Sequence, residues 1–275
     1  MGCFKWISNY WQIFKYYILK HNPTLFVVSF FYYKNIKGDK IMNDLIIDTV
    51  FEEMTSIPKE PINTQYKFLN NELSKCDKGS IITFSGTMCS KLFLNLVKQF
   101  AIDHKNCLYL QDNFYQKRFF MELITLNSDN NDFEKSKNEI KTWNITLSDN
   151  NINDLTELKR LLATQKPNYI FIDNLKNFSL GNASVNEILA EFKQLIYEYK
   201  SILFINLGNT DFVNDVVISK TIKNFSDIII DIKHSADDVY SLWTLKSLNL
   251  NCGVFSLKYN YKLFKFEEID LSDNI

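Results

Sequence analysis

The hydrophobic positions of this chain follow two alternating patterns over most of its length. Short, nearly unbroken apolar runs are typical of strands buried on both faces, and they lie at residues 80–84, 107–110, 169–173, 202–205 and 228–230. Between them, apolar residues recur at helical spacing, as at Leu92, Leu96 and Phe100. Strands separated by helices of this length predict right-handed crossovers and a mostly parallel sheet.

Further helices and one long loop are predicted from the same patterns. Helices are expected at residues 114–124, 154–164, 184–199 and 215–224, with Asp154 as an N-cap, and a short helical or turn segment at residues 68–73. Residues 127–138 are rich in Asn, Asp and Lys, which predicts a solvated loop. After Asp238 the pattern changes to alternation, which predicts antiparallel strands or hairpins that close the sheet.

The amino-terminal segment differs from the rest of the chain. Residues 1–40 hold six lysines and one acidic residue, and their longest uncharged apolar stretch, 24–33, is shorter than the roughly 20 residues that cross a bilayer. Three interpretations stay open: a membrane-surface amphipathic segment, a partner-binding arm, and an extension outside the folded domain. We favour the extension and expect no membrane function. The predicted organisation is an extension over residues 1–41 and one domain over residues 42–275, with Met42 as a plausible natural start.

Composition narrows the function classes. The chain has 275 residues, of which 46% are hydrophobic, and a net charge of -1, so it can form one sizeable core and has no global field that attracts nucleic acid. Its seven glycines form no dinucleotide-binding motif, and its five cysteines and three histidines form no zinc motif. We expect reduced thiols, no metal, no cofactor and a cytoplasmic location, with the nucleus open as a second one.

The loop after the first predicted core strand is the first place to look for chemistry. A P-loop needs glycines there so that main-chain N–H groups can wrap phosphates, then a Lys, and a Ser or Thr for magnesium. Aligned on Lys91, the two glycine positions hold Ser85 and Ser90, and the magnesium position holds Leu92. Lys91 is therefore either a phosphate ligand of an altered loop or a solvated lysine at the start of a helix.

The ends of the next two core strands are also altered. Asp173 ends the third of them, where a Walker B carboxylate would hold magnesium, although an Asp followed by Asn is also an ordinary way to leave a sheet. After the second strand, where hydrolytic RecA-type enzymes place a Glu, this chain has Gln111, Asp112 and Asn113. We therefore expect a RecA-like α/β fold with a degenerate nucleotide site and no catalytic residue. Lys91 and Asp173 would bind nucleotide only if the chain is an ATPase.

The last third of the chain combines basic and aromatic residues. Lys246, Lys258, Lys262 and Lys265 alternate with aromatics that include Tyr259. Such alternation can bind RNA, but it is more often an antiparallel strand with one wet face. We favour the strand.

The ordered string of motifs resembles the RecA-like subunits of the Elongator complex, and among them the subunit 6 family. The similar segments are a leucine-asparagine-asparagine segment at 69–73, a loop without its phosphate-binding glycines that leads into a serine-aliphatic helix start at 90–94, a polar turn with aromatics at 109–115, and a strand, aspartate turn and serine-leucine-glycine loop at 170–181. The resemblance extends from Phe68 to the carboxyl terminus, and residues 1–41 have no counterpart.

This resemblance implies an accessory subunit without catalysis. Such a subunit would assemble with Elongator subunits 4 and 5 into a hexameric ring, join the remaining Elongator subunits, and take part in wobble-uridine modification of tRNA, with direct tRNA contact left open. Two alternatives remain: a RecA-family ATPase such as a DnaB-type replicative helicase core, and a stand-alone degenerate RecA-like binding module.

Overall fold

The structure is a computed structural model, and it describes residues 62–74, 76–111, 115–128, 132–208, 220–248 and 253–269. The predicted extension, the boundary at residue 42, and both Asp112 and Asn113 lie outside these residues. Within the described ranges, no helix combines the length and the apolar character that a membrane crossing requires.

A nine-stranded sheet forms the centre of the fold. The strands in chain order are β1 Ile81–Gly86, β2 Cys107–Gln111, β3 Ile145–Ser148, β4 Asn151–Ile152, β5 Tyr169–Asp173, β6 Ser179–Leu180, β7 Ile202–Asn206, β8 Ile228–Ala236, β9 Val239–Lys246, β10 Val254–Asn260 and β11 Lys265–Glu268. The main sheet has the order β11-β10-β9-β8-β1-β7-β5-β2-β3, and β4 pairs with β6 separately. The strands from β8 to β3 in that order are parallel, and those from β8 to β11 are antiparallel. Both features confirm the prediction, although β3, β4 and β6 were not predicted.

Helices cover both faces of the parallel strands. They are α1 Lys67–Leu73, α2 Cys89–Ile102, α3 Gln116–Asn127, α4 Phe133–Ile140, α5 Leu155–Gln165, α6 Val185–Glu198 and α7 Lys220–Phe225. Buried residues of α1, α2 and α3 share one apolar cluster, and those of α5, α6 and α7 share a second one. The predicted N-cap is confirmed, since the Asp154 carboxylate accepts the N–H of Glu157 at 2.8 Å.

Aromatic rings fix α2 against the sheet. The rings of Phe171 on β5 and Phe204 on β7 stack with their centroids 4.9 Å apart, and Phe93 of α2 meets Phe171 edge-on at 5.3 Å. All three side chains are fully buried, and burying a ring of this size contributes about 1.5–3 kcal/mol. The start of α2, and the loop before it, are therefore held by a rigid frame.

The solvated loop predicted at residues 127–138 is wrong, because α4 begins inside it. Asp132 caps this helix by accepting the N–H of Lys135 at 3.0 Å, and the buried Ser136 hydroxyl donates to the carbonyl of Ile124 at 2.8 Å. Ile140 anchors the other end in the core. A cap and one anchored apolar residue suffice for this short helix, because its other face is in solvent.

Candidate functional site

The loop between β1 and α2 lies at the carboxyl edge of the sheet and is very short. The strand ends at Gly86 and the helix begins at Cys89. The N–H of Gly86 donates to the carbonyl of Gly208, and the N–H of Thr87 donates to the carbonyl of Ile232, both at 3.1 Å. In a P-loop, main-chain N–H groups at this place would surround a phosphate. Here two of them are bonded to neighbouring segments of the same chain.

Gly86 has a structural role that the alignment on Lys91 did not assign. Its φ is +97°, and a Cβ atom at this position would lie 2.0 Å from the carbonyl oxygen of Ile232 on β8. Glycine is thus needed for the close approach of two strands.

Lys91 is bonded to a side chain of α3. Its ammonium group pairs with the Glu122 carboxylate, and the same carboxylate oxygen accepts the Arg118 Nε–H at 2.8 Å. The ammonium also lies 5.3 Å from the centre of the Phe264 ring. Only 19% of the Lys91 side chain is exposed, which corrects its interpretation as a solvated residue.

Replacing Lys91 with methionine is expected to destabilise the protein by about 2 kcal/mol, between the costs of breaking an exposed and a buried ion pair. The reason is that Glu122 is only 12% exposed and would keep only a solvent-facing partner. The matched variant Arg118→Met removes a side chain that is 66% exposed and should change stability by less than about 0.5 kcal/mol. Urea denaturation measures both, and equal losses would contradict this assignment.

Asp173 connects three strands and the start of α2. One oxygen of its carboxylate accepts the Ser90 hydroxyl at 2.8 Å and the Asn206 side-chain amide, and the other accepts the Tyr109 hydroxyl at 2.6 Å. The Asn206 side chain is itself held by the N–H of Gly208 at 2.7 Å. The predicted position of Asp173 beside the loop is confirmed, and the structure brings it into contact with Ser90.

The phenol of Tyr109 is a firm hydrogen-bond donor to Asp173. Burial and the adjacent carboxylate raise the pKa of Tyr109 well above its ordinary value, so it stays protonated. Next to this pair, Gln111 ends β2 and lies opposite Asp173 in the parallel ladder. An amide cannot take a proton from water as a carboxylate can, so Gln111 is unsuited to act as a general base.

A second carboxylate, that of Asp231 on β8, lies behind the loop. It accepts the Ser85 hydroxyl at 2.8 Å, while its other oxygen has no hydrogen-bond partner and lies 3.8 Å from the Lys233 ammonium. The residue is fully buried. Burial raises the pKa of Asp231, and the Ser85 hydrogen bond and Lys233 offset only part of that effect.

The raised pKa of Asp231 predicts a pH dependence of stability. A carboxyl whose pKa is higher in the folded than in the unfolded state opposes folding as it ionises, so stability is lost as pH rises through that interval. Asp231→Asn keeps an acceptor for Ser85 and removes the charge. We expect the variant to gain stability relative to the wild type at pH 7, and the gain to shrink as pH falls toward the ordinary pKa of a carboxyl. Thermal unfolding across this pH range measures the difference, and a gain that grows on acidification would contradict the assignment.

The basic and aromatic residues of the last third serve mainly the sheet. Tyr259 is buried, the Lys246 ammonium donates to the carbonyls of Lys223 and Ser226, and Lys265 pairs with Glu267 at 3.2 Å. This confirms the antiparallel strand with one wet face.

Sequence reasoning missed Asn206 and Glu122, although both leave a signal. Asn206 follows a buried apolar run in the way that Asp173 does. Glu122 falls on the same helical stripe as Phe119 and Leu126, which are buried, and a charge on a buried stripe indicates a partner.

Comparisons with known proteins bear on the fold alone. No protein-family model matches the chain, and no curated protein matches it either. Among solved structures, it is similar to one ATPase domain, with a TM-score of 0.67 and 14% identity, covering 85% of this chain and 100% of that one. It is similar to a DnaB-like replicative helicase, with a TM-score of 0.63 and 14% identity, covering 97% of this chain and 76% of that one.

A third similar structure comes from an archaeal motility protein. This is the flagellar accessory protein FlaH from Methanocaldococcus jannaschii, with a TM-score of 0.57 and 16% identity, covering 76% of this chain and 98% of that one. Together with the parallel order β8-β1-β7-β5-β2, these similarities show that the chain has the RecA-like fold of P-loop ATPases.

Proposed function

We propose that this chain is a RecA-like accessory subunit of the Elongator complex that neither binds nor hydrolyses nucleotide. The observation that carries the first half of this proposal is the bonding at the carboxyl edge. The Lys91 ammonium, the Asp173 carboxylate and the amides of Gly86 and Thr87 are all bonded within the chain.

A magnesium nucleotide does not fit these residues. Binding a phosphate at the loop would require Lys91 to leave Glu122, and magnesium at Asp173 would displace the hydroxyls of Ser90 and Tyr109. The position that supplies a magnesium hydroxyl in a P-loop holds Leu92, which is fully buried. We therefore derive no hydrolytic step for this chain.

The second half of the proposal concerns assembly. We assign the chain to a hetero-hexameric ring with Elongator subunits 4 and 5, attached to the remaining Elongator subunits, in the cytoplasm and with the nucleus as a second compartment. Its part in wobble-uridine modification would be to supply ring interfaces, with tRNA contact as an additional role. Two observations support this: the order of motifs that resembles the subunit 6 family, and the RecA-like fold that such a ring requires.

Affinity purification of the full chain tests the assembly directly. We expect Elongator subunits 4 and 5 to copurify, and deletion of the chain to remove the carbonylmethyl-type groups from wobble uridines. Unchanged wobble uridines in the deletion strain would refute the Elongator role. Loss of both partners from the purification would instead support a stand-alone binding module.

A RecA-family ATPase is the second candidate, because the chain is similar in fold to a solved ATPase domain with a TM-score of 0.67. This function requires robust ATP turnover by the purified protein that Lys91→Ala abolishes. We expect no such turnover, since Lys91 is paired with Glu122.

A further inference from the structure

The strand β3 is the outer strand of the parallel side of the sheet. It pairs with β2, in a register that places Ile145 opposite Cys107, and its other side carries no further strand within the described part of the chain. The N–H of Cys107 donates to the carbonyl of Asn144 at 2.8 Å. Because alternate residues of a parallel strand face the same neighbour, the main-chain groups of Ile145 and Leu147 point to the open side.

The two outer strands of the sheet differ in how their open sides are protected. On β11, Lys265 and Glu267 supply charge, and the N–H of Phe266 donates to the side-chain oxygen of Asn95 at 3.2 Å. Charges of this kind, and cover by other elements, prevent unwanted strand pairing. By contrast, β3 has the sequence Ile-Thr-Leu-Ser without a charge, and its four residues are half-buried. Its composition favours strand pairing.

A cavity adjoins the beginning of this open edge. Its volume is about 290 Å³, and its lining includes Asn106, Trp143, Asn144, Ile145, Thr146 and Gln165. The Thr146 hydroxyl donates to the Gln165 side-chain oxygen at 2.8 Å. An indole ring surrounded by amide groups suits a single side chain with an apolar body, since such cavities combine apolar surface with a few polar groups.

Charge near the cavity is positive. Lys141 and Lys166 are exposed, they lie within two residues of the lining residues Trp143 and Gln165, and neither makes an ion pair within the described part of the chain. At the far end of β3, the Asp149 carboxylate accepts the N–H of Asn151 at 2.9 Å. An occupant of this edge would therefore gain from acidic groups at the end near the two lysines.

We propose that the open edge of β3 binds an extended, acidic segment of a partner protein. The segment would add a strand to the sheet through the main-chain groups of Ile145 and Leu147, place one apolar or aromatic side chain in the cavity beside Trp143, and set its carboxylates against Lys141 and Lys166. This inference does not depend on the Elongator assignment, because it uses neither the loop at Lys91 nor the motifs that carry the resemblance.

The test uses the full chain and a synthetic peptide of alternating valine, threonine and phenylalanine with aspartate at both ends. Residue-resolved hydrogen exchange should show that the peptide slows the amides of Ile145 and Leu147 by about tenfold or more. The amide of Thr146, which already faces β2, should change less. The fluorescence of Trp143 should shift at the same peptide concentration, and Trp143→Phe identifies that signal.

Three controls separate this mode of binding from non-specific attachment. A peptide with lysine in place of aspartate, and one N-methylated along the edge-facing side, should each lose the protection. The double variant Lys141→Glu/Lys166→Glu changes exposed side chains only and should weaken binding by about tenfold. The matched variant Lys258→Glu, on β10 at the opposite part of the sheet, should leave binding unchanged.

Several results would overturn the proposal. These are unchanged exchange at Ile145 and Leu147 with millimolar peptide, equal binding of the N-methylated peptide, and equal binding of the lysine peptide. Protection of the same two amides by self-association, without peptide, would also overturn it, because a second copy of the chain would then be the occupant.

Discussion

The Gly86→Ala variant should lose about 4 kcal/mol of folding free energy, a loss in the range that only severe local conflicts produce. Its Cβ would lie 2.0 Å from the carbonyl oxygen of Ile232 and 3.0 Å from the carbonyl carbon, which are main-chain atoms of β8 and cannot rotate away. The positive φ adds conformational strain. Since a domain is typically stable by only about 5–15 kcal/mol, we expect a lower urea midpoint and poor recovery of folded protein.

Gly79→Ala is the matched control for this substitution. Gly79 has a similar φ of +94°, but its added Cβ would lie 3.4 Å from the nearest atom, Cδ2 of Tyr197. It therefore bears the conformational strain without the overlap, and its expected cost is about 1 kcal/mol. If the two variants prove equally stable, the close contact between Gly86 and β8 is not the reason for glycine at this loop.

The Asp173→Ala variant should lose about 3 kcal/mol, the second largest effect that we expect from a single substitution. Three donors depend on this carboxylate: the hydroxyls of Ser90 and Tyr109 and the side-chain amide of Asn206. Tyr109 and Asn206 are buried, at 1% and 4% exposure, so their polar groups cannot turn to water. Chemical denaturation with circular dichroism as the signal measures the loss.

Tyr109→Phe removes one of these donors and keeps the ring, so it should cost about 1 kcal/mol. A carboxylate kept free for magnesium would behave in the opposite way, because removing an active-site charge commonly leaves stability unchanged or raises it. A stable Asp173→Ala variant would therefore contradict the structural role that we assign to this residue.

The sequence predicted the buried part of the fold best. Strands such as β5 and β7 are apolar along their whole length because both faces are covered, and this pattern can be read without knowing the neighbours. Elements at the periphery were missed for the opposite reason. In α4 the described buried residues are Ser136 and Ile140, and β3 is half-buried along its four residues, so neither has a clear hydrophobic period.

The candidate site was located from the sequence, but its bonding was not. The ends of β1 and β5 meet at one edge of a parallel sheet, so Ser90 and Asp173 could be expected near each other. Their hydrogen bond joins residues 83 positions apart, and Lys91 finds Glu122 across 31 positions. Such pairings depend on how helices pack on the sheet, and a single sequence does not state them.

The central claim is that the chain's own atoms close the edge at which other RecA-like proteins would meet a nucleotide. Isothermal titration calorimetry of the full chain with magnesium and a non-hydrolysable ATP analogue tests it most directly. We predict no binding heat at millimolar analogue and no shift in melting temperature. Stoichiometric binding that Lys91→Ala and Asp173→Ala both abolish would contradict the account.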